Sequence, residues 1–197
     1  MDKNKIRQNY REKRKALPLP ELQKWNAAIT ETLVEFFGQK YGSHAKPMVA
    51  AFRAKQREAD AWEAFVSLAE KDFRFCFPRV LENTERSMEF REVDCSLAAT
   101  EFEKGSFGLL EPKKSCSLIS VEDMDCILVP VLVFDEGGGR MGHGKGFYDQ
   151  MLVDFKRPKI GIAYEWQCFP EALPMDGHDV FLDYVITEKG VRKLTRS

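Results

Sequence analysis

Residues 126–149, CILVPVLVFDEGGGRMGHGKGFYD, decide how the chain is read. Cys126–Phe134 is the most apolar run in the sequence. It marks a buried strand, and a strand apolar on both faces belongs in a parallel sheet. A glycine-rich loop follows, and behind it apolar residues at 147, 148, 151, 152 and 155 recur at helical spacing. Strand, glycine loop and helix is the local plan.

That plan suits an anion. Glycines let backbone N–H groups approach it closely, and a helix N-terminus adds favourable partial charge. Arg140 and Lys145 place full positive charge in the loop. Bound phosphate is therefore the expected chemistry, with Asp149 placed to face a divalent cation that arrives with it. Gly137, Gly138 and Gly139 read equally well as a plain turn. Two nucleotide signatures nearly match. Gly139–Lys145 meets the first seven positions of a P-loop, but Gly146 stands where a Ser or Thr is required. Gly137, Gly139 and Gly142 meet G-x-G-x-x-G, but Arg140 and Met141 crowd the point where that fingerprint opens its helix. Phosphate binding survives; both standard loop classes fall away.

Upstream, residues 1–17 form a basic helix with Ile6, Tyr10 and Leu17 on one stripe. Lys3 and Arg7 lie on another face, either solvated or reaching an anionic ligand. Pro18 and Pro20 break this helix, and Leu22, Trp25, Ile29, Leu33 and Phe36 predict the next over 20–37, ended by Gly38 and Gly42. A strand at 48–52, a helix at 58–71 and a strand at 73–77 point to a parallel α/β sheet. The loop after Phe52 then emerges at a strand's carboxyl end, where open sheets bind ligands, which singles out Arg53, Gln56 and Glu58. Glu58 reads either as an acid in a first helical turn or as a ligand contact.

Beyond it, 88–93 alternates as a strand, 97–104 reads as a short helix, and 113–123 as a loop. The turn-rich GSFGLLEP at 105–112 contributes packing residues or the wall of a pocket. Strands are expected at 159–164 and 182–187, with Asp176, Asp179 and Asp183 clustered between or beside them. Asp149 and Asp179 are the two carboxylates singled out as hard oxygen ligands.

Composition sets the outer limits. A chain of 197 residues fits one domain with a substantial core, and 44% hydrophobic with 31% charged residues is ordinary for a soluble globular protein. A net charge of −1 gives no overall attraction to nucleic acid or acidic membrane. No apolar run has the length of a bilayer span, and the N-terminus lacks the apolar core of a signal peptide, so a cytoplasmic location is expected. Five cysteines, odd in number and never spaced C-x-x-C, read as reduced thiols and advertise no zinc site.

Taken together, KNKIRQNYREKRKAL, FRAKQRE, VPVLVFDEGGGRMGHGKGFYDQML, GIAYEWQ and HDVFLDYVITE resemble the 5-formyltetrahydrofolate cyclo-ligase (methenyltetrahydrofolate synthetase) family across nearly the whole chain. The specific core is R-x-G-x-G-K-G-[FY]-Y-D. The resemblance implies a single domain over 1–197, a Rossmann-like open α/β sheet, mostly parallel and flanked by helices. It implies an enzyme that uses ATP and Mg2+ to convert 5-formyltetrahydrofolate to 5,10-methenyltetrahydrofolate, with folate and ATP as its partners and no nucleic acid or membrane, acting as a monomer. Lys3, Arg7 and the loop Arg140, Met141, Gly142, His143, Gly144, Lys145, Gly146, Phe147 and Tyr148 match the nucleotide contacts. Lys145, Arg140 and Tyr148 are the expected catalytic groups. Asp149 and Asp179 match the magnesium ligands, and Arg53, Glu58, Phe147 and Tyr148 the folate contacts. Arg53 stands where relatives often carry an apolar residue, and His143 and Gln150 where they are often basic. The competing readings are a nonenzymatic nucleotide- or RNA-binding module built on the basic N-terminal helix, and a nicotinamide-dependent oxidoreductase built on the near-miss fingerprint.

Overall fold

The computed structural model describes residues 2–81, 87–144 and 146–195, so Lys145 lies outside the described residues. The helices are α1 (Lys3–Ala16), α2 (Leu19–Tyr41), α3 (Trp62–Ala69), α4 (Ala98–Glu101) and α5 (Phe147–Leu152). The strands are β1 (Met48–Ala50), β2 (Arg74–Val80), β3 (Met88–Val93), β4 (Phe102–Lys104), β5 (Leu110–Pro112), β6 (Leu118–Ile119), β7 (Cys126–Pro130), β8 (Val133–Phe134), β9 (Arg140–Met141), β10 (Lys159–Ile162), β11 (Tyr184–Thr187) and β12 (Gly190–Lys193). Eight of these make one sheet in the order β12-β11-β10-β7-β1-β2-β3-β6. The pairs β11–β10, β10–β7, β7–β1 and β1–β2 are parallel, and β12, β3 and β6 add antiparallel strands at the two edges. The mostly parallel α/β sheet read from the sequence is the one observed.

The sheet is covered on both faces because its strands are apolar on both. Val49, Phe75, Cys126, Leu128 and Ile160 join one core cluster with α2 and α3. Their neighbours Met48, Ala50, Cys76, Ile127 and Val129 join a second with Leu152 of α5. This is the two-residue period of a strand, each face burying its own apolar set. Gly161 sits on the second face because a Cβ there would lie 2.6 Å from Leu182 and 3.0 Å from Val131. From β1 the chain moves to β2 on one side and returns to β7 on the other. The carboxyl ends of β1 and β7 therefore flank a switch point, where open sheets leave a crevice.

Several boundaries differ from expectation, each for a tertiary reason. Gly38 does not end α2, which runs one turn further and buries Tyr41 before Gly42 closes it. The expected helix at 58–71 starts only at Trp62, whose N–H is held by the Asp60 carboxylate. Glu58 therefore precedes the helix and cannot act as an acid of its first turn. The apolar run 126–134 divides: β7 stops at Pro130, and β8 pairs with β9 in a separate two-stranded ladder. The first three glycines form the turn of that hairpin, closed by the Asp135 carboxylate accepting from Gly139 N at 2.8 Å. A hairpin turn is not a strand-to-helix turn, which removes the structural basis of the nicotinamide reading. The helix expected over 97–104 ends at Glu101, and 102–112 is instead a hairpin of β4 and β5. Short strands β6 and β12 were not anticipated at all.

Candidate active site

At the carboxyl ends of β1 and β7 lies a cavity of about 370 Å³. Of the expected site residues that the structure describes, all but Gln56 line it. α1 closes one side, because Ile6 and Tyr10 bury themselves against Leu132, Val133, Met141 and Leu173, which turns the adjoining, cationic face of the helix to the glycine loop. Arg7 Nε donates to the Gly142 carbonyl at 3.3 Å and Arg11 to the His143 carbonyl at 2.8 Å. Gly144 and Gly146 hold φ of +86° and +74°, a region L-residues rarely adopt, so these two positions require glycine.

The charges at this end are paired. Arg140, with only 4% of its side chain exposed, donates to Asp149 at 2.7 Å. Lys3 bridges Asp176 at 2.6 Å and Asp179 at 2.5 Å. Burial alone pushes the Asp179 carboxyl up, but the bonds from Lys3 and from Asp176 N–H outweigh it and hold its pKa below the usual range. Glu58 accepts from Lys55 N at 2.9 Å and faces Arg14 at 3.3 Å and His143 Nε2 at 3.4 Å. Arg14 also lies 3.0 Å from that imidazole nitrogen. A guanidinium only donates, so the Arg14 contact disfavours a proton on Nε2 while the Glu58 carboxylate favours one. Burial lowers the His143 pKa below 6.5 and the Arg14 and Arg11 charges add to this, while Glu58 opposes. The α5 helix has six residues and no side-chain cap, so full charges rather than its partial charge govern this end.

The other end is apolar, walled by Phe52, Pro78, Val80, Met88, Leu109 and Leu110. Tyr148 stands between the two. Burial raises its pKa well above the ordinary phenol range, with the Glu58 charge adding to this against Arg140, so its hydroxyl stays protonated and can donate. Arg53 stacks on Trp62, its guanidinium carbon 3.8 Å from the ring centroid. Its buried Nη1 has no hydrogen-bond partner among the described residues.

Sequence reasoning missed Arg11, Arg14 and Glu111. The two arginines had a signal: Lys3, Arg7, Arg11 and Arg14 follow each other at steps of four, four and three, one face of a helix. Lys3, Arg7 and Arg11 line the cavity and Arg14 meets Glu58 in its wall, which does not favour the RNA-binding alternative, a basic helix whose cations face a polyanion. Glu111 had none, because it became visible only when the turn-rich stretch folded into a hairpin against the cavity.

Known proteins share this architecture. A 5,10-methenyltetrahydrofolate synthetase from Aquifex aeolicus superposes with a TM-score of 0.80 at 30% identity, over 100% of this chain and 95% of the other. That of Mycoplasma pneumoniae superposes at 0.75 and 26% identity, over 95% and 99%. The Mycoplasma pneumoniae 5-formyltetrahydrofolate cyclo-ligase is 28% identical over 191 residues, 96% of this chain and 100% of that one. Residues 1–188 match a single family over a sequence that folds as its members do, and the chain belongs to the 5-formyltetrahydrofolate cyclo-ligase family and is an enzyme of that class.

Proposed function

We propose that the cavity transfers the γ-phosphoryl group of ATP to the formyl oxygen of 5-formyltetrahydrofolate and then lets N10 close the ring, giving 5,10-methenyltetrahydrofolate, ADP and phosphate. The observation that carries this reading is the joining of a cationic glycine loop to an apolar chamber in one cavity. A phosphoryl donor and a flat heterocycle can meet there with their reacting atoms adjacent, which is the chief requirement of phosphoryl transfer. A formamide carbon is a poor electrophile with oxygen as a poor leaving group. Phosphorylation cures both, N10 attacks the activated carbon and loses its proton, and the C–O bond breaks to release phosphate.

Lys3, Arg7, Arg140 and Lys145 bind the phosphates and meet the charge that develops on the transferred group. Phe147 and Tyr148 flank the heterocycle, the Tyr148 hydroxyl serving as a neutral donor. Glu58 and Arg53 face the folate. The donor set suits magnesium, which takes one or two carboxylates together with phosphate oxygens. Asp149 and Asp179 would hold it, and it supplies further neutralisation of phosphate charge. Asp149 pairs with Arg140 and Asp179 with Lys3, so carboxylates engaged by a metal would leave both cations to the phosphates. The apolar chamber keeps water from the activated formyl carbon.

Absorbance of the methenyl product tests the reading, using 5-formyltetrahydrofolate with and without ATP and magnesium. Product is expected only with both. Product formation indifferent to ATP would sink the proposal.

A further inference from the structure

Among the described residues two carboxylates are almost wholly buried, Asp135 and Glu111, at 4% and 3% exposure. Asp135 has an evident structural duty, accepting from Gly139 N at 2.8 Å and Leu173 N at 2.7 Å. Glu111 lines the apolar chamber. No described cation lies within ion-pair distance of it, and Arg79, the nearest influence, is committed to Glu103 at 2.6 Å and to the Pro112 carbonyl at 2.7 Å. Burial pushes the Glu111 carboxyl above its usual range, opposed by bonds to the main chain of Ser106 and Val80 and by the Arg79 charge. A buried acid without a counter-ion is costly to stability, and such groups gather at functional sites.

Its position is also fixed. Ser106 N donates to Oε1 at 3.0 Å, and a Cβ on Gly105 would lie 2.2 Å from the carboxyl carbon, so the hairpin accepts this side chain only by giving up its own. A carboxylate has about four acceptor positions, and the main chain uses two. Glu111 lines the cavity beside the apolar side chains of Phe52, Pro78, Val80, Met88, Leu109 and Leu110. The pterin of the substrate carries two adjacent donors on one edge, N3–H and the 2-amino group, spaced for the two oxygens of a carboxylate.

We propose that Glu111 binds this edge and so fixes the pterin in the chamber with its N5 substituent toward the glycine loop. The inference rests on the folate reading of the cavity. Glu111 is a specificity-determining residue, holding the ring at the edge opposite the reaction.

Glu111→Gln keeps the size and one acceptor for Ser106 N but sets an amide N–H against the donor edge. Titration of protein fluorescence with 5-formyltetrahydrofolate should show about 10- to 100-fold weaker binding. KM for folate should rise in step, with kcat at saturation and KM for ATP unchanged within about twofold. With the 2-desamino analogue, which keeps only N3–H, wild type should bind more weakly than it binds the natural substrate, and the substitution should cost markedly less. A merely structural role predicts lower thermal stability. A raised carboxyl pKa predicts the reverse, because the folded state loses stability as pH rises through that pKa, and Gln escapes this loss. The variant should match or exceed the wild-type melting temperature at pH 7. Equal loss on both ligands, or wild-type affinity in the variant, overturns the proposal. Wild-type protein that makes no methenyl product removes the functional reading and this inference with it. Product without any Glu111→Gln effect removes the inference alone.

Discussion

The two ends of the cavity handle charge in opposite ways. At the glycine-loop end, Arg140 with Asp149, Lys3 with Asp176 and Asp179, and Arg14 with Glu58 neutralise one another. At the apolar end, Glu111 has no counter-ion among the described residues and Arg53 leaves a buried N–H without an acceptor. The first end is stable while empty, and a ligand must exchange one set of partners for another, which limits affinity but allows tight coupling between nucleotide and metal. The second costs stability while empty, and a ligand that completes its hydrogen bonds gains the difference. On the proposed function, phosphates would meet the exchangeable end and the heterocycle the unsatisfied one.

The sharpest way to break this contrast is at the chemical step. Lys145→Ala should reduce kcat by about 10²- to 10³-fold while thermal unfolding stays near wild type. A folded variant with full turnover would show that the glycine-loop end only binds. Next in size, Asp149→Ala strips the partner from a guanidinium on a side chain only 4% exposed. Urea unfolding should show a loss of about 2–3 kcal/mol, whereas replacing both Arg140 and Asp149 by apolar residues should recover part of it. Equal losses in the single and double variants would mean that the pair is not coupled.

Lys3→Met should cost about 1 kcal/mol at pH 7, since the pair keeps some contact with water. Its partner Asp179 has a depressed pKa, so the contribution is present above the ordinary value of 3.8 and fades as pH falls through the lower folded value. Melting curves of variant and wild type should therefore converge in acid; a gap independent of pH would point to lost packing instead. The smallest effect belongs to His143→Gln. The folded state resists protonation of His143, so wild type loses stability as pH falls below 6.5 and the variant does not. With 37% of that side chain exposed, the difference should be a few tenths of a kcal/mol, readable as crossing stability–pH curves. Parallel curves would argue against the neutral imidazole.

Much of this could be read from the sequence, and the limits are physical. β7 and its loop were legible because burial on both faces leaves an unbroken apolar run, and the glycines with Arg140 and Lys145 restrict the chemistry to anions. Glu58 was placed in the right wall but on the wrong element, since the Asp60 side chain that starts α3 competes with a helical pattern beginning four residues earlier. β6 and β12 are edge strands of two and four residues whose pairing is set by neighbours distant in sequence. The acids Glu58, Asp149 and Asp179 that line the cavity were legible as single residues. Their pairing with Arg14, Arg140 and Lys3 was not, because no local pattern records which cation a carboxylate meets across the fold.

The seating of α1 bears on how an active molecule is made. Its apolar stripe packs on residues 132, 133, 141 and 173, and Lys3 reaches partners 173 and 176 positions away. A 14-residue helix is marginal alone in water, so on a growing chain α1 must wait for nearly everything that follows. Non-local closure of this kind is slow and leaves apolar surface open meanwhile. The helix emerges before all the segments it packs on, and its docking closes the glycine-loop end of the cavity. Until those segments have folded, the glycine-loop end of the cavity lacks the wall that α1 supplies, however much of the central sheet has formed.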